Sequence, residues 1–252
     1  MTQQPLAWIT GGATGIGLAT AMRLGTGGHR VVVSGRRAAE LDQAVGLLRG
    51  KGLTAHAQVL DVSDQAAVSR VAEAIASEHG AIDVLVCSAG TNVPNRYWDT
   101  LTPDAFAKVV AINLNGVAFC VAAVLPAMRR AGRGSIAVVS SWAGWRFTSF
   151  TGAAYGATKT ALAPLVESLN DQEGRHGIRA TLICPGEVAT PILRSRPVPP
   201  SDEEIARMLT AEDVAEAVAY AMTAPAHVCL NEIVISPIWN RIYIGLAETA
   251  RR

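Results

Sequence analysis

Tyr155 and Lys159 stand four residues apart in the run Y-G-A-T-K, and Ser141 precedes the tyrosine by fourteen residues. Side chains at i and i+4 share one face of a helix. A free phenol ionises near pH ~10, too high for it to act as a base at neutral pH. A neighbouring ammonium stabilises the phenolate and lowers that value. A phenol so placed can give a proton to a carbonyl oxygen or take one from an alcohol. A serine hydroxyl facing the same oxygen would fix its position and stabilise developing alkoxide charge. Taken alone the pair is a common accident of helical sequences, so its surroundings decide its meaning.

Near the N-terminus the run T-G-G-A-T-G-I-G places Gly11, Gly15 and Gly17, with Thr14 and Ile16 between them, where a short apolar strand gives way to a helix. Glycines there let the backbone turn tightly and approach a pyrophosphate, and the helix start supplies N–H groups for the anion. The spacing is G-x-x-x-G-x-G rather than G-x-G-x-x-G, so the dinucleotide fingerprint matches by context. The second strand ends Ser34-Gly35-Arg36-Arg37. Folds that bind NAD usually carry an acid here for the ribose 2′-hydroxyl. Two guanidiniums suit a 2′-phosphate instead, which favours NADP(H) over NAD(H). Solvated surface charge is the plain alternative for Arg36 and Arg37. Asp61, followed by Val62, could accept from an adenine amino group or cap the next turn.

These residues need a frame. Apolar runs at 6–10, 30–34, 55–60, 84–87, 135–140, 179–184 and 232–236 read as strands, and 16–25, 38–49, 68–78, 103–130, 153–176 and 213–223 as helices, with a kink or break near Pro126. The alternation predicts an α/β fold: one Rossmann-type domain over residues 1–252, a doubly wound parallel sheet with helices on both faces. The irregular stretch at 190–201 is a candidate substrate lid.

Half the chain is hydrophobic, 17% is charged and the net charge is +1, which gives no electrostatic case for nucleic acid or an acidic membrane surface. No leader is expected before Leu6-Ala7-Trp8-Ile9, and no uninterrupted apolar run is expected to span a bilayer. Cys87, Cys120, Cys184 and Cys229 form no CxxC pair and read as reduced thiols of a cytoplasmic protein. The five histidines have no metal spacing, and no metal is expected.

T-G-G-A-T-G-I-G at Thr10, S-A-G at Ser88, I-N-L-N-G at Ile112, S-S-W-A-G at Ser140, Y-G-A-T-K at Tyr155 and P-G-E-V-A-T at Pro185 lie in order along the chain. In these segments the chain resembles the short-chain dehydrogenase/reductase family nearly end to end. The resemblance implies a seven-stranded sheet and a catalytic tetrad of Asn113, Ser141, Tyr155 and Lys159. Asn113 would hold a water that relays protons to Lys159, and Lys159 would also hold the nicotinamide ribose. It implies cofactor contacts at Ser88, Ala89 and Gly90, and at Pro185, Gly186, Val188 and Thr190. It implies a homo-oligomer, dimer or tetramer, built on the two long helices. Cys87-Ser88 replaces the family's paired asparagines, so Ser88 or water must steady that strand end. Ser141 is aligned through Gly144, with Ser140 as the fallback. G-R-R at Gly35 and the segment from Pro225 resemble the NADP-dependent branch acting on serine-type and 3-hydroxy acids.

Trp142, Trp145, Arg146, Phe147 and Phe150 crowd one loop. They read as a wall for a small carbonyl or alcohol substrate, with Trp98 as a possible addition, or equally as core or subunit packing. Arg146, Arg194 and Arg196 are candidates for a substrate carboxylate, or plain surface charge. The expected activity is hydride transfer between NADP(H) and a carbonyl or secondary alcohol. The alternatives are a 3-oxoacyl carrier-protein reductase, docking through Arg129, Arg130 and Arg133, and a non-catalytic dinucleotide-sensing protein.

Overall fold

The alternation of apolar runs and amphipathic stretches becomes strand and helix in turn. The computed structural model describes residues 4–195 and 199–243. Its first half contains β1 (Leu6–Thr10), α1 (Gly15–Thr26), β2 (Arg30–Gly35), α2 (Ala38–Gly50), β3 (Ala55–Val59), α3 (Gln65–His79), β4 (Val84–Cys87), α4 (Pro103–Val110) and α5 (Gly116–Ala131). There follow β5 (Gly134–Val139), α6 (Trp142–Trp145), α7 (Ala153–Thr160), α8 (Leu162–Glu173), β6 (Ile178–Pro185), α9 (Asp202–Ile205), α10 (Ala211–Thr223) and β7 (Glu232–Ile235).

The strands form one seven-stranded sheet in the order β3-β2-β1-β4-β5-β6-β7, and every pairing is parallel. All five residues of β1 are buried, as a central strand covered on both faces requires. Its alternate residues feed two cores. Leu6 and Trp8 pack with residues of α3, α5 and α8, while Ala7 and Ile9 pack with α1, α2 and α10. The Trp8 indole donates to Ser34 Oγ at 2.8 Å, so its one polar atom is satisfied inside the core. The chain reverses direction across the sheet between β1 and β4, where Thr10 is level with Cys87. A crevice opens at the carboxyl ends of strands flanking such a point.

Two predicted helices are divided. The stretch 103–130 passes through a π-helical turn at Ala111–Asn115, and α5 then continues unbroken through Pro126. Core packing of Val124 and Met128 holds the helix across the proline. The irregular turn sits at Asn113, whose amide exchanges two bonds with the Thr91 backbone, N–H to Oδ1 at 2.8 Å and Nδ2 to O at 2.9 Å. The stretch 153–176 is interrupted at Ala161 and ends in a 3₁₀ turn at Gly174–His176. Pro164 accounts for the interruption, because it has no N–H for the Thr160 carbonyl. The missed starts of α3 and α10 follow from caps, Asp64 Oδ1 accepting from Ala67 N and a reciprocal pair between Thr210 and Asp213. Pro103–Ala131, 29 residues, is long and apolar enough by composition to cross a membrane, contrary to the expectation that no run would be. Its residues Val117, Cys120, Val124 and Met128 pack against the sheet, so the apolarity is that of a core helix.

Candidate active site

The turn between β1 and α1 is closed by its glycines. Gly11 has φ +66°, and a Cβ there would lie 2.8 Å from the Ala89 backbone. Gly15 has φ +53°, the left-handed region that side chains avoid. At Gly17 a Cβ would run into the Gly11 carbonyl, so this glycine packs the helix onto the turn behind the cavity wall. Thr14 makes no side-chain cap, which leaves the first N–H groups of α1 available to an anion. Gly11, Thr14, Gly15 and Ile16 line a cavity of roughly 370 Å³ that runs along the carboxyl edge of the sheet.

At the β2–β3 end the cavity is lined by Arg36, Arg37, Asp61 and Val62. Arg37 is ion-paired with Glu40 on the next turn of α2, while the Arg36 side chain is exposed. Asp61 accepts from Ser63 N at 3.0 Å and Ser63 Oγ at 2.7 Å, so it caps the turn and still borders the cavity. Burial pushes this carboxyl up, but the Ser63 bonds and the charges of Arg36 and Lys108 outweigh it and hold it below the ordinary value.

Ser88, Ala89 and Gly90 form the wall beyond β4. Thr10 steadies this strand end: its carbonyl accepts from Ser88 N at 3.2 Å, and its hydroxyl bridges Val86 O and Ala89 N, 3.4 Å from each. Opposite, Pro185, Gly186, Val188 and Thr190 line the cavity after β6. Glu187 lies among them, held by Arg241 through two bonds of 2.7 Å. Arg241 also pairs with Glu204, so one side chain near the C-terminus ties the β6 loop to α9.

Tyr155 and Lys159 project from α7 into the middle of this cavity. Lys159 Nζ donates to Val139 O at 2.7 Å and lies 5.8 Å from the centre of the Tyr155 ring. Burial lowers the Lys159 ammonium to about 8, with the sulfurs of Cys184 and Cys87 offsetting part of the effect. Both cysteines are themselves pushed up. For Cys87 the leading cause is its bond with Cys120, and for Cys184, raised to about 12, it is burial. Ser140 Oγ donates to Lys159 O at 2.9 Å and is buried, whereas Ser141 Oγ accepts from Ala143 N at 3.2 Å and caps α6. Both serines line the cavity. Asn113 is fully buried behind the wall and not on it. It reaches the site through Thr91, and its Oδ1 and Lys159 Nζ both lie 3.6 Å from where a Gly90 Cβ would stand.

The aromatic cluster divides. Trp142 and Phe150 line the cavity. Trp145 packs edge-on against Trp142 and the core instead, and Phe147 is 91% exposed. Arg146 stacks over Trp145 at 4.5 Å, and Trp98 is 79% exposed. None of these four lines the cavity. Arg196 and the side chain of Arg194 lie outside the described residues. The sequence reading missed Arg96, which is buried and lines the cavity beside Thr148 and Thr151. The available signal was its position in the loop leaving the carboxyl end of β4, the edge on which such sheets bind ligands.

A family model described as short chain dehydrogenase matches residues 5–198. A putative ketoacyl reductase of monensin polyketide synthase from Streptomyces virginiae is 38% identical over 196 residues, covering 76% of this chain and 74% of that protein. The solved alcohol dehydrogenase from the archaeon Thermococcus sibiricus, complexed with 5-hydroxy-NADP, is similar with a TM-score of 0.84 at 26% identity, covering 94% of this chain and 98% of the other. The closed form of a serine dehydrogenase complexed with NADP+ gives 0.83 at 28% identity, covering 92% and 95%.

Proposed function

The chain belongs to the short-chain dehydrogenase family, and we propose that it transfers hydride between NADP(H) and the carbonyl or secondary alcohol of a small molecule. The observation that carries this reading is the buried Lys159 ammonium 5.8 Å from the Tyr155 ring, in a cavity that begins at an uncapped helix N-terminus. The glycine turn fits a dinucleotide, since a Cβ at Gly11 would strike the Ala89 backbone. Gly11, Thr14, Gly15 and Ile16 would hold the pyrophosphate, with Asp61 and Val62 beside the adenine. Ser88 to Gly90, Pro185, Gly186, Val188 and Thr190 would line the nicotinamide half. Arg36 would meet a 2′-phosphate, and the two NADP-complexed relatives support that preference. When bound, the reduced cofactor supplies hydride.

Tyr155 gives its proton to the carbonyl oxygen, or takes one from the alcohol in the reverse direction. Lys159 stabilises the phenolate left behind. Ser141 orients the same oxygen, because Ser140 is committed to the Lys159 carbonyl. Asn113 acts as a positioning residue through the Thr91 backbone. A carrier-protein reductase is the weaker reading. Of its basic docking cluster, Arg129 is forked onto Glu173 and Arg133 onto Asp83, which neutralises much of the charge. The reading takes the whole chain as one dinucleotide-binding domain, assembling as a dimer or tetramer in the cytoplasm. Its four free cysteines suit a reducing compartment.

The test is NADPH oxidation by purified protein over a panel of ketones. Tyr155→Phe should lower kcat by roughly 10²- to 10⁴-fold while NADPH still binds. Undiminished turnover in that variant would overturn the assignment.

A further inference from the structure

A short turn near the C-terminus joins three segments at the substrate end of the cavity. After β7 the chain passes Pro237, which packs on Gly186: a Cβ at that glycine would lie 3.1 Å from Pro237 Cδ. The turn that follows is folded on itself. Asn240 is 5% exposed, its Oδ1 accepts from Ile242 N at 3.0 Å, and its carbonyl accepts from Tyr243 N at 3.0 Å.

An anchor stands on each side of Ile242. Before it, Arg241 forks onto Glu187 through two bonds of 2.7 Å and also pairs with Glu204. Glu187 belongs to the cavity-lining loop after β6, and Glu204 caps α9 by accepting from Ser201 N at 2.8 Å. A bidentate fork onto a mostly buried carboxylate fixes direction as well as distance. After Ile242, the Tyr243 ring meets Trp142 edge to face, with ring centres 5.4 Å apart. Trp142 follows Ser141 directly and stands on the cavity wall. The turn therefore bridges the loops that leave β5 and β6, and Ile242, between its anchors, lines the cavity. Trp142, Phe150 and Leu193 add apolar surface to the same cavity. An apolar wall held at both ends limits the size of the group it faces and offers that group no polar partner.

We propose that the turn Asn240–Tyr243 closes the substrate end and selects compact ketones with apolar substituents, Ile242 being the specificity-determining contact and Arg241 the positioning residue that holds it. This rests on the hydride-transfer reading and deepens it. The carbonyl oxygen meets Tyr155 and Ser141 while the larger substituent lies against Ile242. The carbonyl carbon gains hydride from the reduced nicotinamide, which is oxidised, and the oxygen gains the Tyr155 proton. The substituent is unchanged, so the wall acts on which ketone fits and not on the chemistry.

The experiment measures kcat/KM for 2-pentanone and 2-octanone with NADPH and reads the octanone-to-pentanone ratio. Each ratio is taken within one protein, so partial misfolding of a variant cancels. The wild type should favour 2-pentanone, and Ile242→Ala should raise the ratio by on the order of 10-fold. Arg241→Met should raise it in the same direction by about 5-fold, whereas a merely structural arginine would lower both rates and leave the ratio alone. Arg241→Lys keeps the charge but not the fork, and should fall between. Calorimetric titration of the NADPH-loaded protein with pentanamide and octanamide, which carry a carbonyl but accept no hydride, reads the wall without turnover. Ile242→Ala should shift that pair of affinities toward octanamide by on the order of 10-fold. A wild type that prefers 2-octanone, or a ratio unmoved in Ile242→Ala, overturns the proposal. A ratio moved by Ile242→Ala but not by Arg241→Met removes the role of Arg241 and keeps that of Ile242. If no ketone turns over but the amide affinities shift as stated, the wall stands and the hydride-transfer reading falls. If neither turnover nor amide binding is found, both fall.

Discussion

Replacing Lys159 by methionine should stabilise the protein at neutral pH while abolishing its activity. The side chain is 5% exposed, and burial holds the ammonium at about 8 against 10.5 in water. A base whose folded pKa is lowered binds its proton less tightly in the fold than in the unfolded chain, so the charge costs stability at pH 7. The gap between 10.5 and about 8 corresponds to about 3 kcal/mol. Methionine fills similar space without charge but forfeits the Nζ–H bond to Val139 O, worth about 1 kcal/mol, so the net gain is about 2 kcal/mol. The cost of the charge is full below pH 8, fades as the pH rises to 10.5, and is absent above it. Urea denaturation of both proteins without cofactor, at pH 7 and pH 10, reads the difference. The variant should be more stable at pH 7 and level with the wild type near pH 10. A variant destabilised equally at both pH values would refute the argument that the ammonium is held at a cost.

Three further outcomes are expected. Arg36→Ala should raise KM for NADPH by on the order of 10- to 100-fold and leave KM for NADH unchanged, as measured by steady-state kinetics with both cofactors. Arg241→Met removes a two-bond clamp from the mostly buried Glu187 carboxylate, and urea denaturation should register a loss of about 3 kcal/mol. Finally, burial lowers the pKa of His29 and, with the His79 charge, that of His56, so both prefer the neutral form in the fold. Stability is then full above pH 6.5 and declines as the pH falls below it, before the carboxylates titrate; His29→Gln with His56→Gln should flatten a denaturation profile between pH 6.5 and pH 5.

Much of the frame was legible in local pattern. Buried parallel strands are apolar on both faces, so β1, β2 and β4 announce themselves as short runs bounded by glycine or polar residues. The glycine turn was legible because φ values of +66° and +53° exclude ordinary side chains. Less visible were the helix interruptions. Pro126 sits inside an unbroken helix, while the irregular turn falls at Asn113, where a side chain meets the Thr91 backbone 22 residues away in sequence.

The chain by itself determined the glycine turn after β1, the order of strands and helices, and the Tyr155–Lys159 face, because each depends on backbone freedom or on spacing within a few residues. Tertiary structure alone decided which polar groups are buried at the cavity. It placed Phe147 in solvent and Trp142 in the wall, committed Ser140 to the Lys159 carbonyl, and carried Arg96 to the start of the helix that bears Tyr155. Burial and partnership are properties of neighbours brought together across loops, and no local spacing encodes which neighbours those will be.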